Sequence, residues 1–306
     1  MHLLLTGGAG FIGSHVVEKA TENGFQVKVL DDFSFGRREY LDGFDIEIIS
    51  GTIQDPETCR EAVAGVDAIV HLAASGSVMD SLNAPMQNFE TNVLGTLNML
   101  DAARRADVKR MIFSSTGGAL MGDTPPPVNE KSLPAPLSPY GASKAAAETY
   151  INAFSSSYGL NQTIFRFGNV IGTRSQHKKG VLNRFYKAAA NRETLDLFGR
   201  PSRDFVYVGD LASTIIDSLT NEDAFGETFH LASGKETPIV DIAIWSTQYF
   251  GLDESFIRVQ PKRPGEVVRN FADTAKAAVT LSWKPRTDIK NQVFEVYDSF
   301  QIADRE

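Results

Sequence analysis

Two rhythms of apolar positions alternate along the first half of the chain. Short, nearly continuous apolar runs at Leu3–Leu5, Phe25–Leu30, Ile46–Ile49, Ala68–His71, Arg110–Phe113 and Thr163–Phe167 have the length and β-branched character of buried strands. Between them lie longer stretches with helical spacing: from the glycines near residue 10 to about Glu22, after Pro56, roughly Pro85–Arg105, and Ser138–Tyr158. Strands alternating with helices of this length predict a parallel, doubly wound sheet. Beyond about Asn169 the rhythm breaks into short elements separated by Pro and Gly. A smaller C-terminal region packed on the first is the expected consequence. Thr124-Pro125-Pro126-Pro127 and Pro134-Ala135-Pro136 mark a long loop before the Tyr140 helix.

The segment Thr6-Gly7-Gly8-Ala9-Gly10-Phe11-Ile12-Gly13-Ser14 sits where the first strand meets the first helix. The first glycine of the spaced set permits a tight turn, and the second lets backbone N–H groups approach a pyrophosphate. The third lets the helix pack close to the sheet. The helix N-terminus adds partial positive charge toward an anion. Asp31 closes the second strand at the distance expected of the acidic residue that meets the adenosine ribose. Its charge opposes a 2′-phosphate and favours NAD over NADP. Arg37 and Arg38 nearby read as solvated loop charges.

Composition narrows the classes. A chain of 306 residues with formal net charge -8 has room for a large core and repels nucleic acid on average. Cys59 is the single cysteine, so no intrachain disulfide forms and a cytoplasmic setting fits. The five histidines are scattered without ligand spacing, and no metal is expected. No apolar run approaches the ~20 residues of a membrane span, so no membrane association is expected.

Tyr140 and Lys144 open a helix four residues apart and share one face. An ordinary phenol, with a pKa of about 10, is too weakly acidic to serve as a base at neutral pH. A neighbouring ammonium and a cationic nicotinamide are expected to lower it. Tyr140 would then exchange a hydroxyl proton while hydride moves to or from NAD. Thr116 stands at the carboxyl end of a sheet strand, where open α/β sheets bind ligands. Its hydroxyl both donates and accepts, as a proton relay must.

At these residues the sequence resembles the extended short-chain dehydrogenase/reductase family, especially its UDP-sugar 4-epimerases. The likeness also rests on His71-Leu72-Ala73-Ala74, Asn92-Val93-Leu94-Gly95-Thr96, Ser114-Ser115-Thr116-Gly117-Gly118-Ala119 and Arg166-Phe167-Gly168-Asn169-Val170. Late matches are Arg203-Asp204-Phe205-Val206-Tyr207-Val208 and Arg263-Pro264-Gly265-Glu266. The resemblance implies an α/β fold: a doubly wound parallel Rossmann sheet with a smaller, discontinuous C-terminal α/β substrate domain. It places NAD binding in 1–168, with a returning segment near 204–232, and substrate binding mainly in 169–306. By this likeness Thr116, Tyr140 and Lys144 do the chemistry. Gly7, Gly10, Phe11, Ile12, Gly13, Asp31, Asp32, Thr52, Ile53, Leu72, Ala73, Ala74, Asn92, Ser114 and Phe167 join Tyr140 and Lys144 around NAD. Ser77, Asn169, Val181, Leu182, Arg203, Arg263, Glu266 and Asn270 join Thr116 around a nucleotide-diphosphate sugar. A homodimer through the helices at about 85–105 and 138–158 is also implied.

The implied reaction oxidises C4, turns over a flat 4-keto sugar, and reduces it from the other face. Dehydratases of the family usually carry Asp-Glu after the Thr, and decarboxylases a Glu. Gly117-Gly118 offers no acid, which disfavours both. A nucleotide-sugar dehydratase, decarboxylase or carbonyl reductase on the same scaffold is the alternative. A non-catalytic dinucleotide sensor is the second. Thr52 stands where the likeness expects an Asp against adenine, and Met121 replaces a Tyr. The loop Gly199–Ser202 is shortened. Asn270 occupies a position that limits sugar size, and its small side chain predicts tolerance of N-acetylated sugars as well as UDP-glucose and UDP-galactose.

Overall fold

The computed structural model describes residues 1–262, 267–286 and 288–303. The N-terminal half runs β1 (His2–Thr6), α1 (Phe11–Glu22), β2 (Gln26–Asp31), β3 (Glu47–Ser50), α2 (Pro56–Ala62), β4 (Ala68–His71), α3 (Val78–Asn83), α4 (Pro85–Phe89), α5 (Gly95–Arg105), β5 (Arg110–Thr116), α6 (Gly117–Met121), α7 (Pro139–Tyr158) and β6 (Asn161–Phe167). There follow β7 (Asn169–Ile171), α8 (Val181–Ala190), β8 (Leu195–Phe198), β9 (Ser202–Arg203), β10 (Phe205–Tyr207), α9 (Val208–Asp217), β11 (Glu227–Leu231), β12 (Thr237–Pro238), α10 (Ile239–Tyr249), β13 (Ile257–Gln260), α11 (Ala275–Thr280) and α12 (Ile289–Ala303).

Seven strands form one sheet in the order β11-β6-β5-β4-β1-β2-β3, and every pairing in it is parallel. The chain winds outward from β1 to β3, then crosses back to β4 on the other side of β1. That reversal opens a crevice above the carboxyl ends of β1 and β4, the place where such sheets take ligands. Both faces are covered, as the fully apolar strands require. Leu3 and Leu5 join the core beneath α1 and α9, while Leu4 joins the one beneath α2, α5 and α7. Successive side chains in a strand point to opposite faces, so one short run serves two layers.

A third core gathers α8, α10 and α12 around Phe185, Tyr186, Ile242, Val293 and Tyr297. The short strands of this half pair as β7 with β10, β8 with β13 and β9 with β12. β11 leaves them and pairs with β6 at the edge of the main sheet.

Two expectations from the sequence need adjustment. The helix drawn over 85–105 contains a π segment, Glu90–Leu94, between α4 and α5. Its backbone bonds skip one residue further than in an α-helix, a feature apolar spacing does not encode. A separate helix, α3, precedes it, capped by Ser77, whose Oγ accepts from Asp80 N at 3.1 Å. The apolar run at Arg110–Phe113 is shorter than β5 itself, which reaches Thr116 and carries its hydroxyl to the sheet's carboxyl edge.

Candidate active site

The glycine turn is built for close approach. Gly7 has φ +72, a left-handed conformation costly for other residues. A Cβ on Gly13 would lie 2.0 Å from Gly7 O, so no side chain fits between α1 and the turn. Gly10 caps α1 without a side-chain hydrogen bond, leaving the first N–H groups of α1 pointing outward. Buried Asp31 accepts from Ala9 N at 2.9 Å and Phe33 N at 2.8 Å. Burial raises its carboxyl pKa, and these bonds oppose the rise. One lone pair on each oxygen stays available for ribose hydroxyls. Asp32 is exposed and accepts from Ser34 N at 2.9 Å.

The opposite wall is the stretch after β4. Thr6 Oγ1 meets His71 Nδ1 at 2.7 Å and receives Ala73 N at 3.2 Å. His71 Nε2 meets Thr96 Oγ1 at 3.1 Å. Burial lowers His71 to about 3, so it stays neutral and structural. Asn92 lies in the π segment. Its Oδ1 accepts from Ser75 N at 2.8 Å, and its Nδ2 donates to Ser75 O at 3.1 Å and Ser143 Oγ at 2.9 Å. These bonds hold the Asn92 amide at the end of the wall after β4, with one lone pair of Oδ1 left over. Asn92 thereby fixes Ser75 of that wall to Ser143 of the Tyr140 helix.

α7 starts with Pro139 in its first turn and Ser138 as cap, whose Oγ accepts from Gly141 N at 3.2 Å. Tyr140 and Lys144 face the end of β5. Lys144 Nζ donates to Ser114 O at 2.8 Å and lies 4.5 Å from the centre of the Phe113 ring. Burial lowers Lys144 to about 7, with the Glu148 carboxylate opposing. Burial pushes the Tyr140 phenol up to about 12, with a hydrogen bond to Thr116 opposing. The lowering expected from the sequence rests on an ammonium and a cationic nicotinamide together, and burial in the protein pushes the other way. Within the protein alone, desolvation outweighs the hydrogen bond with Thr116. Thr116 Oγ1 also accepts from Ala119 N at 3.3 Å.

The remaining sequence-predicted residues divide clearly. Ile53, Phe167 and Leu182 are buried in cores, so any contact they make with a ligand comes from their backbone. Val181 and Leu182 open α8, whose cap Gly180 provides no side-chain bond. Leu72, Ala73, Ala74 and Ser77 are half-buried along the wall after β4, and Thr52 is half-buried after β3. Ser114 Oγ donates to His71 O at 3.2 Å. Asn169 is exposed at the crevice, with its N–H on Asp204 O at 2.7 Å. Arg203 is half-exposed. Asn270 is buried beside Gly118, where a Cβ would lie 3.5 Å from Asn270 Oδ1. Arg263 and Glu266 lie outside the described residues.

Two supports escaped the sequence reading. Asp204 is fully buried and accepts from Ser233 N, Ser233 Oγ, Gly234 N and Ala272 N, tying Arg203 to the loops beside β11. Glu148 pairs with Arg166 at 2.7 Å, both nearly buried. Glu148 stands one turn beyond Lys144, a spacing that flags a partner on the same helix face. Among the described residues no group of His, Cys, Asp and Glu is arranged to hold a metal. No helix among them is long and apolar enough to cross a membrane. The turn that excludes a Cβ, the uncapped start of α1 and the acceptor at Asp31 together fit a dinucleotide.

Known proteins with this arrangement are numerous. The NAD dependent epimerase/dehydratase family matches over residues 3–232. A UDP-glucose 4-epimerase of Mycolicibacterium smegmatis is 31% identical over 312 residues, covering 98% of this chain and 99% of that protein. A UDP-glucose 4-epimerase of Thermotoga maritima, solved with UDP-glucose, has a TM-score of 0.93 at 33% identity, covering 99% of each chain. A dTDP-glucose 4,6-dehydratase of Streptomyces venezuelae, solved with NAD bound, has a TM-score of 0.92 at 30% identity over 99% of this chain and 97% of that one.

Proposed function

The chain belongs to the NAD dependent epimerase/dehydratase family, and from that premise we propose that it inverts C4 of a nucleotide-diphosphate sugar. The observation that supports this reading is the hydrogen bond between Tyr140 and Thr116, with Lys144 bound to Ser114 O on the same strand and Gly117-Gly118 following. The fold alone does not choose, since a 4,6-dehydratase shares it. Water elimination needs an acid beside the reacting carbons, and the residues after Thr116 supply none.

NAD, when bound, supplies a two-electron acceptor for the hydrogen on C4 and returns it to either face of the ring. Tyr140 takes the proton of the 4-hydroxyl and later gives it back to the ketone oxygen, with Thr116 as relay. Lys144, whose ammonium burial makes readier to release its proton, favours the phenolate while it carries that proton. The cycle ends with no net redox change. The substrates are UDP-glucose and UDP-galactose. The small side chain of Asn270 supports UDP-GlcNAc and UDP-GalNAc as well. Residues 1–168 with the 204–232 segment hold the cofactor, and 169–306 mainly the sugar nucleotide, in a cytoplasmic homodimer.

Interconversion of UDP-glucose with UDP-galactose, and of the N-acetylated pair, is followed by proton NMR for the wild type and Tyr140→Phe. Conversion without change of mass is expected, with a loss of about 100-fold or more in the variant. Unchanged turnover in Tyr140→Phe rejects the mechanism. A product lighter by water rejects the epimerase.

A further inference from the structure

The loop between β7 and α8 carries Gln176-His177-Lys178-Lys179, which its sequence presents as solvated charge. Its base is tied to the flank of α1. Thr173 Oγ1 and Arg174 Nη1 each lie 3.2 Å from a ring nitrogen of His15, and Arg174 pairs with Glu18 at 2.8 Å. From there the loop runs toward the start of α1. Phe11 lies one turn before His15, their rings 6.0 Å apart, and Lys178 Nζ sits 5.4 Å from the centre of the Phe11 ring. Lys179 continues across the crevice to Asp80 on α3, at 3.2 Å.

Within the protein Lys178 is held by the face of the Phe11 ring, a cation–π attraction, which leaves its ammonium without a neutralising charge. Phe11 is the first residue of α1, and a cation at a helix N-terminus opposes the helix dipole. Among the described residues no carboxylate pairs with Lys178. The residue as a whole is exposed, yet burial around its ammonium lowers its pKa. A cation set against the positive end of a helix, beside a turn that excludes side chains, is relieved by a bound anion.

We propose that Lys178 binds the diphosphate bridge of the dinucleotide, and that the 176–179 loop, latched by Lys179 to Asp80, straps the cofactor into the crevice. The latch is an exposed ion pair, weak enough to open for loading. This inference rests on the dinucleotide reading of the glycine turn and adds a ligand from outside it.

Equilibrium binding of NAD⁺ and of UDP to the full chain is measured at low and high salt for the wild type, Lys178→Gln and Lys178→Arg. Because Lys178 is exposed, both variants are expected to fold. Loss of one charge-assisted bond weakens NAD⁺ binding about 10- to 100-fold in Lys178→Gln. Its salt dependence becomes shallower, Lys178→Arg retains most of the affinity, and UDP binding is unchanged. A change below threefold, or weaker binding with the same salt dependence, overturns the role of Lys178. Loss of UDP binding with NAD⁺ binding intact overturns it too and moves the residue to the substrate side. Failure of the wild type to bind NAD⁺ overturns the dinucleotide reading itself.

Discussion

Lys144 is held in a place that suits its chemistry and not its charge. It is 3% exposed, and its pKa falls from 10.5 to about 7. Between those values the folded protein releases a proton that the unfolded chain keeps, so stability rises with pH across that window. At or below pH 7 the fold carries the whole desolvation penalty, on the order of 5 kcal/mol for a shift from 10.5 to about 7. Lys144→Met removes the charge and loses one hydrogen bond to Ser114 O, worth about 1 kcal/mol. We expect the variant without cofactor to be more stable than wild type by up to about 4 kcal/mol at pH 7, and to be inactive. The gap should narrow toward pH 10. Urea unfolding across pH measures it, and a variant less stable than wild type at pH 7 contradicts this account.

At the scale of elements, α7 joins the chemistry to the sheet. Tyr140 and Lys144 occupy its first turns, and Glu148 one turn on anchors it to Arg166 of β6. Their side chains are only 7% and 8% exposed, so removing one partner leaves a buried charge. Glu148→Ala should cost about 3–5 kcal/mol in unfolding free energy. Glu148→Leu with Arg166→Met should recover most of it, because well-packed apolar groups replace a buried pair at little cost. A double variant as unstable as Glu148→Ala would show that the pair does more than fill space. The helix itself was readable from its spacing. The π segment holding Asn92 was not, because a one-residue change of backbone pairing leaves no mark in apolar spacing.

At the scale of the molecule, the face formed by α4 and α7 leaves large apolar side chains uncovered. Met86 and Phe89 on α4 are 67% and 50% exposed, and Tyr150 on α7 is 43% exposed. These are the helices from which the dimer was expected. Sedimentation velocity should show a dimer for the wild type and a monomer for Met86→Glu with Phe89→Lys, since charges buried in an apolar interface are costly. A monomeric wild type removes the dimer from the proposal.

The order of strands and helices, the glycine turn, Asp31 and the Tyr140–Lys144 spacing were all written in local pattern, because each depends on residues near in sequence. Thr116 was readable as the end of a strand. The tertiary structure alone decided which charges are solvated. It turned Tyr140 upward and Lys144 downward in pKa, enclosed Asp204 and the Glu148–Arg166 pair, and set Lys178 against α1. Burial depends on what distant segments cover, and desolvation, which governs these charges, has no signature in the residues on either side.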